Sequence, residues 1–241
     1  MFKKIIYGAI VVFMLTKFVW AASTVRIKSI SGEVQIRRGV EETWHPASAG
    51  TWLEEIDTIL TGERAEVILE IEPGKIFRLG GHAILDIADL RKITEQELFL
   101  SLMAKKVQKI ERSAQKTKLR IGKVNVVHGA LKKDSLDRAE NNGESEGWKL
   151  EKNGALALFQ QNYIPNAILK MNNIFTKYLI VNDCGEIHYY LGEAFETLHK
   201  PGQALDAYQS VIKESLTENC KMPGNRIWVK EAESAIKRLK P

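Results

Sequence analysis

Cysteine is scarce in this chain: two in 241 residues, Cys184 and Cys220, too few for a disulfide-built scaffold or a four-thiolate metal site. The five histidines, His45, His82, His128, His188 and His199, lack close pairing and the ligand spacing to a cysteine or carboxylate that a metal site needs. There is no phosphate-cradling Gly-x-x-x-x-Gly-Lys loop and no recognisable Cys-His arrangement. Glu54, Glu55 and Asp57 are near one another in sequence, yet alternation along a strand or turn would point them apart rather than pair them for acid and base work. The expectation is a chain that is not an enzyme, with no cofactor and no metal.

An uninterrupted apolar run of about 20 residues, long enough to span a bilayer, is also missing. The nearest approach is at the N-terminus, where Lys3 and Lys4 precede an apolar stretch from Ile5 to Leu15, and Val19-Trp20-Ala21 offers small residues for cleavage. Residues 1–22 therefore read as a secretion signal, interrupted by Lys17 and so a poor uncleaved anchor, which is the alternative. No cysteine near the cut suggests lipid attachment. The leader's three lysines account for three of the formal net charge of +5, leaving +2 on the remainder. So small an excess does not argue for a nucleic-acid partner, and no base-stacking motif supports one.

From Val25 to about Met103 the apolar residues mostly alternate: Val25 and Ile27, Val34 and Ile36, Val67, Leu69 and Ile71, Phe77 and Leu79, Ala83, Leu85 and Ile87. Period two marks half-buried strands. Between them lie turn formers, among them Ser31-Gly32, Thr61-Gly62, Pro73-Gly74 and Gly80-Gly81. Many short strands with close turns predict a small all-β sandwich or curled sheet.

A basic amphipathic helix is expected near 104–118, where Lys105, Lys106, Lys109, Arg112, Lys116 and Lys118 surround Val107, Ile110 and Ala114. Either its apolar face packs on the β module, or Lys105, Lys109 and Arg112 contact an anionic lipid, an acidic polymer or a partner. A final strand pair is expected in Leu119–Ile121 and Val124–Val127. Residues 134–147 are polar, contain glycine and show no apolar period, and read as a linker between a β domain at 23–133 and a helical domain at 148–241.

In that last part apolar residues recur at three and four: Leu156 with Phe159, Ile168 with Met171, Leu191 with Phe195, and Leu205 with Tyr208 and Ile212. Ala155-Leu156 with Ala167-Ile168 and Met171 is echoed 37 residues on by Gly192 with Ala204-Leu205 and Tyr208. The pattern resembles the tetratricopeptide repeat, a helix-turn-helix unit of about 34 residues. The resemblance implies two stacked helical hairpins, Gly192 and Ala204 where helices approach closely, Pro165 and Pro201 near second-helix starts, and a last helix from Ile227 to Leu239 covering the exposed end. In an antiparallel hairpin the start of the first helix and the end of the second share an edge. Cys184 and Cys220 flank the second hairpin at that edge, and the sequence leaves open whether they pair.

The β part resembles the FecR-type periplasmic domain over Val25 to Leu90. The resemblance is carried by Gly32-Glu33-Val34, Trp44, Gly50, Leu53, the run from Asp57 to Gly62, Ala65 to Leu69, Gly74 to Leu79 and Ala83 to Ile87. It implies an all-β envelope domain, without iron signalling, since no cytoplasmic regulatory segment accompanies it. Asp57 is expected to accept backbone N–H bonds at a turn, with Thr61 and Gly62 shaping the next reversal.

Together these readings predict a β-then-α envelope protein, exported to the periplasm, that acts as a non-catalytic adaptor for envelope proteins. The alternatives are a protein binding wall glycan or another acidic polymer, and a periplasmic input to an envelope signalling system. The partner surface is expected on first helices of the repeats, at Lys152, Leu156, Phe159, Tyr189, Glu193 and Glu196. With only two repeats, a broad partner surface or self-association fits better than a long bound peptide.

Overall fold

The computed structural model describes residues 25–113, 144–178, 180–217, 220 and 227–240, and the side chains of 105–113 and 144–146 lie outside that description. The expected leader, the strand pair at 119–127 and most of the expected linker fall outside the described residues. Among the described residues no helix is long and apolar enough to cross a membrane.

Eight short strands come first: β1 (Val25–Ser31), β2 (Val34–Arg37), β3 (His45–Pro46), β4 (Trp52–Leu53), β5 (Thr58–Thr61), β6 (Glu66–Glu72), β7 (Lys75–Leu79) and β8 (Ala83–Asp86). They form two antiparallel four-stranded sheets, ordered β4-β1-β6-β7 and β3-β2-β5-β8. The alternating residues do what their period demands: Val25, Ile27, Val34, Ile36, Val67, Leu69, Phe77, Leu79, Ala83 and Leu85 are all buried. Gly32 turns β1 into β2 with a left-handed φ of 78°, and a Cβ there would lie 2.9 Å from the Ala65 Cα, so only glycine fits.

Asp57 is buried and ties this region together. Its carboxylate accepts the Glu54 N–H at 2.9 Å, the Gly39 N–H at 3.1 Å and the Arg38 guanidinium at 2.6 Å. The Thr61 hydroxyl donates to the Gly80 carbonyl at 2.6 Å and accepts the Ala83 N–H at 3.0 Å, while the Gly62 carbonyl accepts from His82 at 2.8 Å. These are the turn-setting roles expected of the three residues.

The strands end earlier than alternation suggests. After β8 a short 3-10 turn, Ile87–Leu90, leads to α1 (Glu95–Ser113), which takes in residues up to Met103 that the alternating pattern had assigned to the β part. The helix begins ahead of the predicted residue 104 because Thr94 and Glu97 form a capping box: the Glu97 N–H donates to the Thr94 hydroxyl at 3.2 Å, and the Thr94 N–H donates to the Glu97 carboxylate at 2.9 Å.

Five more helices follow: α2 (Glu144–Gln160), α3 (Ile164–Lys177), α4 (Glu186–Thr197), α5 (Pro201–Ser215) and α6 (Ile227–Leu239). Helix α2 includes residues 144–147, which the polar pattern of the sequence assigns to the linker. The helices run as successive pairs, α2 on α3 and α4 on α5, with α6 laid against α5. Pro165 and Pro201 sit in the first turns of α3 and α5, where the missing N–H has no helical partner to lose.

The helices do not hang from the sandwich on a tether. Strands β7 and β8 are edge strands on the same side of the two sheets, and α2 packs against both. The Gln161 side-chain amide completes the β7 edge as another strand would, accepting the Arg78 N–H at 2.8 Å and donating to the Arg78 carbonyl at 2.8 Å. Asn153 donates to the His82 carbonyl at 2.7 Å just before β8, and Gly154 lies so close to the Ile84 carbonyl that a Cβ would overlap it. Phe77 meets Tyr163 edge-on, ring centres 5.6 Å apart. One apolar cluster runs unbroken from Val25 to Ile236 through both parts. Covering two exposed strand edges in this way removes sites for unwanted strand pairing.

Candidate interaction surface

Helix α4 is set in place from its N-terminus. Asp183 is buried and accepts the Ile187 N–H at 2.6 Å, capping the first turn. Burial and the nearby Glu214 raise the Asp183 pKa above its ordinary value, against the lowering effect of that hydrogen bond. Cys184 is joined to Cys220 with Cα atoms 5.4 Å apart, so the end of the second hairpin is fastened to its beginning. Within the hairpin, Gly192 lets the Tyr208 ring of α5 lie directly on the α4 backbone, where any Cβ would overlap the ring. Close approach here is the reason for a helical glycine that otherwise costs about 1 kcal/mol.

That approach assembles a row of aromatic rings across four helices. Phe159 of α2 meets Tyr190 of α4 at 5.6 Å between ring centres; Tyr190 meets Tyr189 at 5.6 Å and Trp228 of α6 at 5.5 Å; Tyr189 meets Trp228 at 5.1 Å and Tyr208 at 5.8 Å. Phe159, Tyr189, Tyr190 and Trp228 are half-buried, while Tyr208 is fully buried. Rings fixed by one another and still open on one side present apolar area at little cost in side-chain entropy, the quality that marks interface anchors.

Charges border the row. The Lys152 ammonium pairs with Glu186 and lies 5.8 Å from the centre of the Trp148 ring. The Tyr208 hydroxyl donates to Glu196 at 2.7 Å and to Glu193 at 3.1 Å, and Arg238 of α6 grips Glu196 with contacts of 2.7 and 2.9 Å. Burial, with Glu193 and Glu231 nearby, pushes the Tyr189 phenol up to about 12. Burial and the bond to Glu196 push Tyr208 higher still. Both phenols are therefore protonated donors throughout the neutral range.

Of the six residues expected at the partner surface, Phe159 and Tyr189 lie in the row and Lys152 and Glu193 on its border. Glu196 is held by Tyr208 and Arg238 and locks α4, α5 and α6 together. Leu156 packs partly buried against the core. Tyr190 and Trp228 were missed; the first directly follows Tyr189, and the second is the one tryptophan of α6, so both signals were in the sequence. Lys105, Lys109 and Arg112 lie on α1, with side chains outside the described residues. Residues 143–147 spell Gly-Glu-Ser-Glu-Gly, the letters of a hydrolase elbow, but that motif needs its serine between a strand and a helix, and Ser145 is the second residue of α2.

A second polar cluster lies at the seam between β8 and the helices. The buried Lys170 ammonium is 2.7 Å from Asp89, 3.0 Å from Glu151 and 3.6 Å from Asp86. Lys177 adds a contact to Glu151 at 2.8 Å, and Asn166 donates to the Asp89 and Arg91 carbonyls at 2.8 Å each. A cleft of about 270 Å³ opens beside the cluster. Burial alone would lower the Lys170 pKa, but the three carboxylates outweigh it and raise it well above its ordinary value. A lysine so firmly protonated serves as a fixed cation and offers no free amine for nucleophilic chemistry.

No family model, curated protein or solved structure matches this chain.

Proposed function

We propose that the chain is a non-catalytic adaptor of a bacterial envelope, exported through residues 1–22 and binding an envelope protein with the aromatic row of its helical part. The observation that carries this reading is the row itself: Phe159, Tyr190, Tyr189 and Trp228, half-open and mutually braced across α2, α4 and α6. Two further observations support it. The Cys184–Cys220 bond suits an oxidising compartment outside the cytoplasm. The helix pairs, with a last helix over their end, are arranged as a tetratricopeptide-like array would be, beside a two-sheet module in which a FecR-like domain is the proposed identity. Because the modules share a core, the adaptor is a rigid body with a binding face rather than two modules on a string.

The test is recovery of a protein partner from envelope extracts by the mature chain and by Tyr190→Ala/Trp228→Ala. Because these two rings also brace α2, α4 and α6, the variant is compared only after its circular dichroism spectrum and urea midpoint show that it is folded. A partner retained in full by the variant would contradict the reading. Deleting residues 148–241 is the poorer test, because it would strip the covering from β7 and β8.

The run of cations on α1 favours a second reading, in which the protein binds wall glycan or another acidic polymer. That reading predicts sedimentation with purified sacculi, weakened by salt.

A further inference from the structure

The charges around the aromatic row are unequal in sign. On α4, Glu193 lies three residues after Tyr190 and four after Tyr189, one helical turn along the same face. On α6, Glu231 lies three residues after Trp228 and shares its side, while Lys230, two residues after, falls on another side of the helix. Both carboxylates act on the rings. Glu193 accepts from the Tyr208 hydroxyl at 3.1 Å and lies 3.4 Å from the Tyr189 hydroxyl, and Glu193 and Glu231 add to the burial that holds the Tyr189 phenol above its ordinary value.

The cations at this border are already engaged. Lys152 pairs with Glu186, and Arg238 pairs with Glu196. Among the described residues Glu193 has only phenol hydroxyls for partners, and Glu231, fully at the surface, enters no ion pair. Two carboxylates without a counter-charge therefore flank rings that are half open. A purely apolar partner would cover the rings and leave both acids to be desolvated unpaired, which is costly. A cationic side chain satisfies the acids and is attracted to the ring faces as well. A guanidinium does so better than an ammonium, because it is planar, stacks on an aromatic ring and offers a fork of N–H groups to a carboxylate. A second copy of this chain fits poorly, since a two-fold contact would set these acids against themselves.

We propose that this face recognises an arginine of the partner protein, its guanidinium lying against the open sides of the Tyr189 and Trp228 rings between Glu193 and Glu231. The proposal rests on the adaptor reading and adds that the bound segment is basic, with apolar neighbours to cover Phe159 and Tyr190.

The experiment titrates the mature chain with two synthetic peptides, acetyl-Leu-Arg-Leu-Arg-Leu-amide and the same sequence with citrulline, an uncharged isostere, in place of arginine. The readout is the indole N–H resonance of Trp228, assigned with Trp228→Phe. The arginine peptide should shift that resonance and bind about tenfold more tightly than the citrulline peptide, with a preference that salt reduces. Glu193→Gln/Glu231→Gln retains an acceptor for both phenols and should lose the preference. Glu231→Gln alone, at an exposed position that leaves the fold intact, should reduce it.

Equal binding of the two peptides, no shift with either, or a preference unchanged in the variants would overturn the proposal. So would a dimer in sedimentation that Tyr190→Ala/Trp228→Ala dissociates, which would give the face to a second copy. Equal capture of an envelope partner by the wild type and by Glu193→Gln/Glu231→Gln would overturn it while leaving the adaptor reading in place. Arginine selectivity in a chain that captures no envelope partner would support the site and contradict the adaptor reading.

Discussion

The Lys170 ammonium donates to the Asp89 carboxylate at 2.7 Å across the seam between α3 and the end of the sheet. With Glu151 and Asp86 beside it, this lysine bridges three carboxylates drawn from three elements, so the pairing fixes how the helices sit on the sandwich. Lys170→Met should therefore cost about 3 kcal/mol, because it leaves the buried Glu151 and the partly buried Asp89 without this counter-charge. Urea unfolding at neutral pH measures that loss. Strand and helix signals should shift together, as expected of one shared core.

Asp89 gives the seam a pH dependence of definite sign. Burial, assisted by Asp86 and Glu151, outweighs Lys170 and raises its pKa above the ordinary 3.8. The folded state then holds the Asp89 proton more firmly than the unfolded chain does, so this group's contribution to stability falls as pH rises through the window above 3.8. Asp89→Asn keeps an acceptor for Lys170 and cannot ionise. The wild type should accordingly lose stability relative to Asp89→Asn as pH is raised through that window, as followed by urea midpoints at successive pH values. Lys170 acts at the opposite end. Its stabilising effect is fully present below its ordinary 10.5 and is lost only as pH rises through the still higher value of the folded state.

Gly154 and Gly192 fill different roles although both are helical. An alanine methyl at Gly154 would meet the Ile84 carbonyl of β8, and one at Gly192 would meet the Tyr208 ring of α5. Gly154→Ala should loosen the helices from the sheet, and Gly192→Ala should separate α4 from α5 while leaving the sandwich seated. Each should cost about 1–3 kcal/mol by overpacking. Amide hydrogen exchange distinguishes them, with lost protection in β8 for the first and in α4 and α5 for the second.

The Cys184–Cys220 bond closes a loop with a sequence separation of 36 residues. Cys184→Ser/Cys220→Ser should lower stability by about 4 kcal/mol on the loop-entropy estimate. The unreduced protein should show no reactive thiol on titration, and two reactive thiols would contradict the bond.

Much of the architecture was legible in the sequence because burial period is a local signal. Val67, Leu69, Phe77 and Leu79 alternate and lie on the inner faces of their strands; Ala167, Ile168 and Met171 recur at helical spacing and lie in the core. The start of α1 was misread because the run from Leu98 to Leu102 is nearly continuous in apolar residues, a pattern that fits a buried strand as well as a helix, and the Thr94–Glu97 box decides it. The seam was not legible at all. Residues 114–143 stand between its two halves, and no local pattern announces that Gln161 will complete a strand edge 83 residues earlier or that Lys170 will meet Asp89. Part of the aromatic row was legible from repeat logic. Trp228 escaped because a helix read as a cover for the array's end is assigned to packing before binding is considered.

The central claim, that the aromatic row is the partner-binding face, is tested most directly by site-specific photocrosslinking in intact envelopes. A photoreactive residue placed at Tyr190 should give a discrete adduct with a protein partner, and the same residue at exposed Gln209 of α5 should not. Adducts absent from Tyr190, or identical from both positions, would contradict the account.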